Sequence, residues 1–299
     1  MNDVPSAKPC VAEVACFGGL NIDRQGAALA PVVPGSSNPV RMTTDVGGVA
    51  ANVARALAAL GRRVTLVARV GATGSRSFGR ALAGLVDPLL IVDRDRPTAS
   101  YTSLIEPDGR LFVGLADMEV HDAWDHGDVD RAIAHAAAAS VWFVDANLPS
   151  AALARLATMA GSERILAANG VSAAKAGRLA GDLHRISMLF ANAEEAAVLG
   201  IDPEAPRRGQ ELTTVVTHGG AGLAVAVGND VWRIPAPALP GPAVDETGAG
   251  DCLVAGVLAG RLAGLDRDAA FALGQRAAAA ALVAPVSVPE EALRALAPG

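Results

Sequence analysis

Short apolar segments alternate with segments of helical periodicity along most of this 299-residue chain. Apolar residues recur at helical spacing from Val49 to Leu60, Gly61 can end that helix, and residues 64–70 then form a β-branched strand. Further strands are predicted at residues 14–17, 141–144, 165–168, 188–191 and 214–217, and further helices at residues 129–139, 151–160, 193–199 and 252–265. This alternation predicts a doubly wound α/β fold, in which helices cover both faces of a mainly parallel sheet.

Two stretches interrupt the alternation and predict a second, smaller unit. Residues 24–45 are rich in Pro and Ser, and residues 97–116 have the pattern of a hairpin that turns at residues 107–109. We interpret residues 24–45 and 97–116 as a small β lid on a core formed by residues 10–23, 46–96 and 117–299. The alternative is that the second stretch is an ordinary surface hairpin.

Two further features of the core are predicted from turn residues and glycine spacing. Residues 223–227 and 231–234, joined by residues 228–230, form another hairpin that we expect at an edge of the main sheet. Gly256, Gly260 and Gly264 recur every four residues, and we expect them to let their helix pack closely against the sheet.

Polar residues follow several predicted strands at the point where each strand ends. They are Asn21 and Asp23, Asp145 and Asn147, Asn169, Asn192, and His218. Open parallel sheets bind ligands at the carboxyl ends of their strands. We therefore expect these side chains to line one edge of the sheet.

Residues 245–251 form a glycine-rich turn that delivers a carboxylate to the start of a helix. Gly248 and Gly250 permit the positive φ of a tight loop and let backbone N–H groups approach an anion. The first turn of the helix adds unpaired donors and the positive end of its dipole. Asp251 can then accept a proton from an attacking hydroxyl, so the segment suits phosphoryl transfer. The alternative is that Asp251 is only a helix cap and the glycines only a turn.

Charge and cysteine content narrow the functional classes. A net charge of −6 argues against a protein that grips a nucleic-acid backbone, and a small-molecule substrate fits better. Cys10, Cys16 and Cys252 show neither disulfide nor zinc spacing, and we interpret Cys252 as a buried core thiol rather than a reactive one. No segment has the length of a membrane span or the pattern of a signal peptide, so we expect no membrane partner and a cytoplasmic location.

Four motifs together resemble the ribokinase or PfkB-type family of carbohydrate and nucleoside kinases over nearly the whole chain. They are Gly47 and Gly48 with Asn52, the Asn-x-x-Glu of residues 192–195, the turn of residues 217–222, and residues 245–251. Within that family the sequence is most similar to the pseudouridine kinases, on residues 37–39, 99–101, 116–118, 145–147 and 171–175. The resemblance implies a ribokinase-like doubly wound sheet flanked by helices, with a small β lid.

The resemblance also implies an activity and a role for each matching residue. The activity is ATP-dependent phosphorylation of the 5′-hydroxyl of pseudouridine, giving pseudouridine 5′-phosphate and ADP. Asp251 resembles the general base, and the backbone of Gly248, Ala249 and Gly250 would hold charge that develops on the γ-phosphate. Glu195 resembles the group that orders Mg²⁺, and a requirement for a monovalent cation stays open.

The remaining site residues fall into two groups by the ligand that they would contact. The acceptor would be bound by Asn21, Asp23, Ser37, Asn38, Gly47, Gly48, Asn52, Tyr101, Met118 and Asn147. The nucleotide would be bound by Asn192, Thr217, Gly219, Gly220, Gly222 and Thr247. Outside the family context, Asn52 is interpreted as a buried amide, Glu195 as a solvated helix charge and Tyr101 as lid core.

Two departures from the family pattern keep other functions open. Asn169 stands where pseudouridine kinases tend to have Asp, and Glu246 stands where the family more often has Thr. The alternatives are a kinase for another nucleoside or sugar, such as adenosine or ribose, and a nucleoside-binding protein with impaired catalysis. The resemblance further implies a homodimer formed through the lid strands.

Overall fold

The computed structural model describes residues 12–206 and 212–298, and Cys10 lies outside the described residues. Its strands are β1 Val14–Phe17, β2 Asn21–Ala28, β3 Val40–Gly47, β4 Val64–Gly71, β5 Asp87–Asp93, β6 Ser100–Ile105, β7 Leu111–Asp117, β8 Val141–Asp145, β9 Ile165–Asn169, β10 Met188–Asn192, β11 Thr213–Thr217, β12 Leu223–Val227 and β13 Asp230–Ile234. Its α-helices are α1 Val49–Ala59, α2 Ser75–Ala81, α3 His126–His135, α4 Ser150–Ala160, α5 Ala173–Ala176, α6 Ala193–Val198, α7 Ala249–Leu262, α8 Arg267–Leu282 and α9 Glu290–Arg294.

The main sheet of the described residues has nine strands in the order β13-β12-β11-β10-β9-β8-β1-β4-β5. All neighbouring strands are parallel except the pairs β11–β12 and β12–β13, which are antiparallel, and the hairpin β12–β13 lies at one edge as the sequence predicts. From β1 the chain leads to β4 on one side and later to β8 on the other. The end of β1 is therefore a topological switch point, where sheets of this type bind ligands.

Helices cover both faces of this sheet, which confirms the predicted doubly wound α/β class. One buried apolar cluster joins the sheet to α1, α7 and α8, and a second joins the opposite face to α3 and α4. Side chains alternate between the two clusters along each central strand, as the two-residue period of a strand requires. In β1, for example, Val14 and Cys16 belong to the first cluster, and Ala15 and Phe17 to the second.

The two segments that interrupt the alternation form a separate four-stranded sheet in the order β3-β2-β6-β7. Its turn at residues 107–109 closes on Gly109, whose φ of +87° suits glycine. The strands extend beyond the predicted segments, since β2 begins at Asn21 and β3 ends at Gly47. All of β7 is exposed, including Leu111, Phe112 and Leu115. We call this four-stranded sheet the lid, and the division of the chain into lid and core domains stays a prediction.

The glycines of α7 pack against a helix, so the prediction that they contact the sheet is wrong. A Cβ at Gly256 would lie 2.6 Å from the Cα of Gly274, and one at Gly260 would lie 2.9 Å from the Cα of Ala270. Both partners belong to α8, a helix that the periodicity analysis missed together with α2 and β5. Gly264 lies beyond the end of α7 with a φ of +74° and supplies the turn into α8.

Candidate active site

The predicted anion loop leads into α7, which begins at Ala249 rather than at Cys252. Gly248 precedes the helix with a φ of +79°, and a Cβ there would overlap the carbonyl oxygen of Ser287. Only glycine satisfies both conditions. As residues of the first helical turn, Gly250 and Asp251 have backbone N–H groups that point out of the helix end. The local structure therefore has the donors that hold an anion.

Asp251 lies in this first turn and is only 8% exposed. Asn52 Nδ2 of α1 donates a 2.9 Å hydrogen bond to Asp251 Oδ2 across 199 residues of sequence. Burial raises the pKa of Asp251 to about 7, the hydrogen bond from Asn52 opposes the rise, and the carboxylates of Asp145, Asp23 and Glu195 add to it. A carboxyl group whose pKa lies near 7 is suited to accept a proton at neutral pH.

Gly47 and Gly48 lie where β3 meets α1, and both are required by close contacts. A Cβ at Gly47 would overlap the carboxylate of Asp23, and one at Gly48 would overlap the carbonyl of Gly19. Asn21 donates a hydrogen bond to the Asp23 carboxylate. Burial raises the pKa of Asp23 to about 6, and the bond from Asn21 lowers it again in part. The structure thus brings four predicted acceptor-site residues into one wall.

Asp145 joins this wall to the main sheet. Its side chain is fully buried and accepts 2.9 Å hydrogen bonds from the backbone N–H groups of Gly19, Ala50 and Asn147. These bonds connect the end of β8 to the end of β1 and the start of α1. The sequence shows Asp145 at a strand end, but no sequence signal identifies the amides that it binds.

A cavity of about 110 Å³ lies between the lid and the anion loop. The lid contributes Asp23, Asp45 and Tyr101, and the core contributes Thr247 and residues 285–287. Tyr101 and Thr247 therefore meet at one site. The Thr247 hydroxyl and N–H both bond to the carboxylate of Asp245, which stabilises the loop before α7.

Ser37 and Asn38 do not line this cavity. Asn38 Oδ1 accepts a 2.8 Å bond from the N–H of Val33, and its Nδ2 donates to the carbonyls of Val33 and Ser36. The amide thus closes the turn between β2 and β3. Met118 lies at the end of β7, just before a 3₁₀ turn at residues 119–122. The predicted roles of Ser37, Asn38 and Met118 in recognition of the base stay predictions.

Asn192 and Glu195 form a reciprocal cap at the start of α6. Asn192 Oδ1 accepts from the N–H of Glu195, while the Glu195 carboxylate accepts from both nitrogens of Asn192. Glu195 is buried, and burial together with the neighbouring Glu194 raises its pKa. A solvated helix charge, the alternative interpretation of Glu195, is therefore excluded.

The predicted nucleotide turn follows β11. Gly222 has a φ of +95°, and a Cβ there would overlap the carbonyl of Ile234, so glycine is required. Gly219 and Gly220 face open space, since a Cβ on either residue would have no heavy atom within 4 Å. Thr217 is the last residue of β11, and the His218 N–H bonds to the Gly222 carbonyl across the turn.

The two departures from the family pattern have identifiable local roles. Asn169 Oδ1 accepts a 2.7 Å bond from the N–H of Val171, and so it supports the turn after β9. Glu246 is exposed, and its carbonyl accepts from the N–H of Ala249 at the start of α7. Neither residue disrupts the anion loop.

The described thiols are buried core groups. Cys16 and Cys252 are both fully buried and free. Burial raises the pKa of Cys252 to about 12, and the adjacent carboxylate of Asp251 adds to this rise. The prediction of an unreactive thiol at residue 252 agrees with this environment.

The model of the pfkB family of carbohydrate kinases matches residues 11–285. The chain belongs to this family. PfkB-family kinases are phosphotransferases that use an alcohol group as acceptor. The recognition made from the four motifs is therefore confirmed, and so is the ribokinase-like fold.

Individual proteins of the family are also similar to this chain in sequence or structure. The pseudouridine kinase of Escherichia coli strain K12 is 29% identical over 273 residues, which cover 82% of each chain. A carbohydrate kinase from Agrobacterium tumefaciens has a solved structure with a TM-score of 0.78, 30% identity, and coverage of 95% of this chain and 96% of that one. Arabidopsis thaliana ribokinase, solved with ribose and ATP, has a TM-score of 0.77 at 17% identity over 97% of this chain and 100% of its own, and it supports the fold alone.

The acidic residues of this PfkB-family site are suited to a metal that a phosphorylated ligand helps to bind. Within residues 12–206 and 212–298, no cluster of three or more His, Cys, Asp and Glu side chains forms a metal site by itself. Mg²⁺ in phosphoryl-transfer sites takes one or two carboxylates and completes its shell with phosphates and waters. Glu195 is a buried carboxylate, so it fits an ion whose remaining ligands come from a phosphate and waters.

The described helices give no sign of a membrane span. None of them, within the part of the chain that the structure describes, combines the length and apolarity needed to cross a lipid bilayer.

Proposed function

We propose that this protein transfers the γ-phosphate of ATP to the 5′-hydroxyl of pseudouridine, giving pseudouridine 5′-phosphate and ADP. The observation that carries the proposal is the position of Asp251. It is a buried carboxyl group with a pKa near 7, in the first turn of α7, beside a glycine loop and facing the acceptor wall. Base and anion loop thus lie next to each other, and transfer from a phosphate to a hydroxyl requires this proximity.

Asp251 is the proton acceptor in this proposal. Its ionised form takes the proton from the 5′-hydroxyl as the oxygen attacks phosphorus. Asn52 holds the carboxylate in place and stabilises its charge, because it donates to Oδ2. Backbone N–H groups at Gly250 and Asp251 stabilise the charge that develops on the phosphoryl oxygens.

ATP and Mg²⁺ complete the proposed site. Thr217, Gly219, Gly220 and Gly222 would contact the nucleotide from the end of β11, where the two open glycines leave space for phosphates. Glu195 would hold Mg²⁺ through its waters, and Asn192, which bonds to Glu195, would keep that carboxylate in position. When bound, Mg²⁺ supplies charge neutralisation on the phosphates.

The acceptor is proposed to lie between the lid and the core wall. Asp23, ionised above its pKa of about 6, can accept hydrogen bonds from two vicinal ribose hydroxyls. Gly47 and Gly48 let the chain pack closely against Asp23 and the Gly19 carbonyl, which shapes this wall, and Tyr101 would cover the sugar from the lid. The pseudouridine kinase of Escherichia coli supports the choice of nucleoside.

The test is ADP release by the purified protein with ATP and Mg²⁺, comparing pseudouridine, uridine, cytidine, adenosine and ribose as acceptors. The proposal expects a strong preference for pseudouridine over uridine. A preference for adenosine or ribose would keep the kinase mechanism and refute the substrate. Binding without turnover for every acceptor would instead support a nucleoside-binding protein.

We also propose that two copies associate through their lids. Strand β7 is exposed along its length, and Leu111, Phe112 and Leu115 are 56%, 44% and 61% exposed. An exposed apolar edge strand readily pairs with another strand. Leu115→Asp should shift the mass measured by light scattering from dimer to monomer. Met159→Asp, at an exposed apolar position of α4, is the control and should leave the mass unchanged. A monomeric unmodified protein would refute the dimer.

A further inference from the structure

Lys175 makes a side-chain contact that the proposed chemistry does not use. Its ammonium Nζ donates a 2.6 Å hydrogen bond to Asn147 Oδ1. Asn147 follows β8, whereas Lys175 lies on the short helix α5 that follows β9. The bond therefore joins the loops after two neighbouring strands at the edge of the sheet that carries the acceptor wall.

The segment that carries Lys175 has an unusual backbone. Val171 has a φ of +65°, in the left-handed region that β-branched residues rarely adopt. Two hydrogen bonds hold it there: Asn169 Oδ1 accepts from the N–H of Val171, and the carbonyl of Gly170 accepts from the N–H of Ser172. Strained backbone persists where the surrounding structure enforces it, often at functional sites. Here it fixes the direction in which the chain enters α5.

The contact determines which end of the Asn147 amide faces the acceptor wall. An ammonium group can only donate hydrogen bonds, so it must meet the carbonyl oxygen of the amide. The NH₂ group then points the opposite way, toward Gly19, where Nδ2 lies 2.5 Å from the place that a Cβ would occupy. Among the described residues, no hydrogen-bond partner is found for this NH₂ group.

The backbone of Asn147 is fixed independently of Lys175. Its N–H donates to Asp145 Oδ1 at 2.9 Å, and its carbonyl accepts from Arg178 at 3.0 Å. The hydrogen bond from Lys175 therefore affects only the rotation of the Asn147 side-chain amide. Partial burial of Lys175 lowers its pKa, while attraction to the Asp145 carboxylate opposes that change and favours the charged form.

We propose that Lys175 is a positioning residue for acceptor recognition, which holds the Asn147 amide so that its NH₂ group donates to the bound acceptor. The inference rests on the proposed function, since it takes the wall formed by Asn21, Asp23, Gly47 and Gly48, which packs against Gly19, as the acceptor site. It also specifies a chemical feature of the acceptor: the part that lies against Gly19 must present a carbonyl or hydroxyl oxygen. A substrate with an N–H group at that point meets a second donor and is rejected.

The test is a double-mutant cycle on Asn147 and Lys175, measured as kcat/KM for the preferred acceptor. Asn147→Asp keeps a partner for Lys175 but removes the NH₂ donor, and should lower kcat/KM at least tenfold through KM. Lys175→Met frees the amide to rotate and should lower kcat/KM about tenfold, as expected for one lost hydrogen bond. The double variant should be no worse than Asn147→Asp alone, because the two residues act through one group. KM for ATP should stay unchanged.

Arg178→Met is the matched control. Arg178 is a neighbouring cation that contacts the Asn147 backbone carbonyl rather than its amide. Its replacement should change kcat/KM less than Lys175→Met does. Multiplicative losses in the double variant would overturn the proposal, because Lys175 would then act independently of Asn147. An equal loss in Arg178→Met would also overturn it, because loss of nearby positive charge would explain the effect.

A second readout needs no acceptor and separates this proposal from the proposed function. The side-chain NH₂ signals of Asn147 in a ¹H–¹⁵N spectrum should shift in Lys175→Met and not in Arg178→Met. Unchanged signals in Lys175→Met would refute the positioning role. If the acceptor panel favours another nucleoside or sugar, the pseudouridine assignment fails, and the cycle is run with that acceptor and judged by the same outcomes.

Discussion

Replacing Asp251 by Asn should stabilise the folded protein at alkaline pH. The carboxyl group is 8% exposed, and burial raises its pKa from an ordinary 3.8 to about 7. The folded state therefore binds this proton more tightly than the unfolded state. The stability that the protonated group allows is fully present below pH 3.8 and is lost as the pH rises through about 7.

The size of the effect follows from the difference between the two pKa values. Between these values each pH unit removes about 1.4 kcal/mol from the free energy of unfolding, so the full loss is at most about 4 kcal/mol. Asn cannot ionise and keeps a carbonyl oxygen for the hydrogen bond from Asn52. The advantage of Asp251→Asn over the unmodified protein should therefore grow by about 2 kcal/mol between pH 5.5 and pH 8.

Urea unfolding at pH 5.5 and pH 8, without nucleotide, metal or acceptor, measures this difference. Glu163→Gln removes an exposed carboxylate and is the control, since its effect should be small and nearly independent of pH. Asp23 and Glu195 titrate in the unmodified protein and in both variants, so their contributions to the free energy of unfolding largely cancel when the proteins are compared. A constant difference between Asp251→Asn and the unmodified protein, or a less stable variant at pH 8, would refute the buried-charge argument.

Three further predictions concern the same site. The kcat/KM of the unmodified protein should rise with pH through about 7, and Asp251→Asn should lower turnover by about 10²–10⁴-fold without that rise; a normal rate in the variant contradicts the base role. Asn52→Leu removes the bond that favours the ionised form, so the rise in kcat/KM should move to higher pH, and an unmoved profile would count against the pairing. Gly48 has a φ of +101° and no room for a Cβ beside the Gly19 carbonyl, whereas Gly61 has a φ of +83° and its nearest atom is 4.0 Å away. Gly48→Ala should therefore lower the melting temperature more than Gly61→Ala does. Equal losses would show that backbone strain alone determines the effect and would contradict the role of the contact with Gly19.

Much of the fold was predictable because local periodicity reflects burial on the central strands and their flanking helices. Helix α1 and the central strands each present a clear apolar pattern to one or two covered faces. Helix α8 escaped prediction because its alanine-rich sequence has little contrast between faces, and it packs on α7 through small residues. A helix that is apolar nearly all round carries no period to detect.

Several site residues were predicted from their motifs, but the sequence does not indicate what they contact. The motif of Asn38 suggested a place near the base, whereas its amide closes a turn of the lid. The Asn192–Glu195 motif was predicted to order Mg²⁺ and contact the nucleotide, which stays a prediction, and the structure shows that the two residues cap a helix. A motif specifies residue types and spacing, and one side chain can serve a backbone and a ligand together.

The sequence by itself determined the strand and helix alternation, the glycine loop before α7 and the order of the family motifs. Neighbouring residues encode these features, since periodicity and turn chemistry are local. Only the tertiary structure decided that Asn52 bonds to Asp251, that Asp145 binds the distant amides of Gly19 and Ala50, and that Lys175 bonds to Asn147. These contacts join residues 28 to 199 positions apart, so they exist only after the sheet has brought the strand ends together.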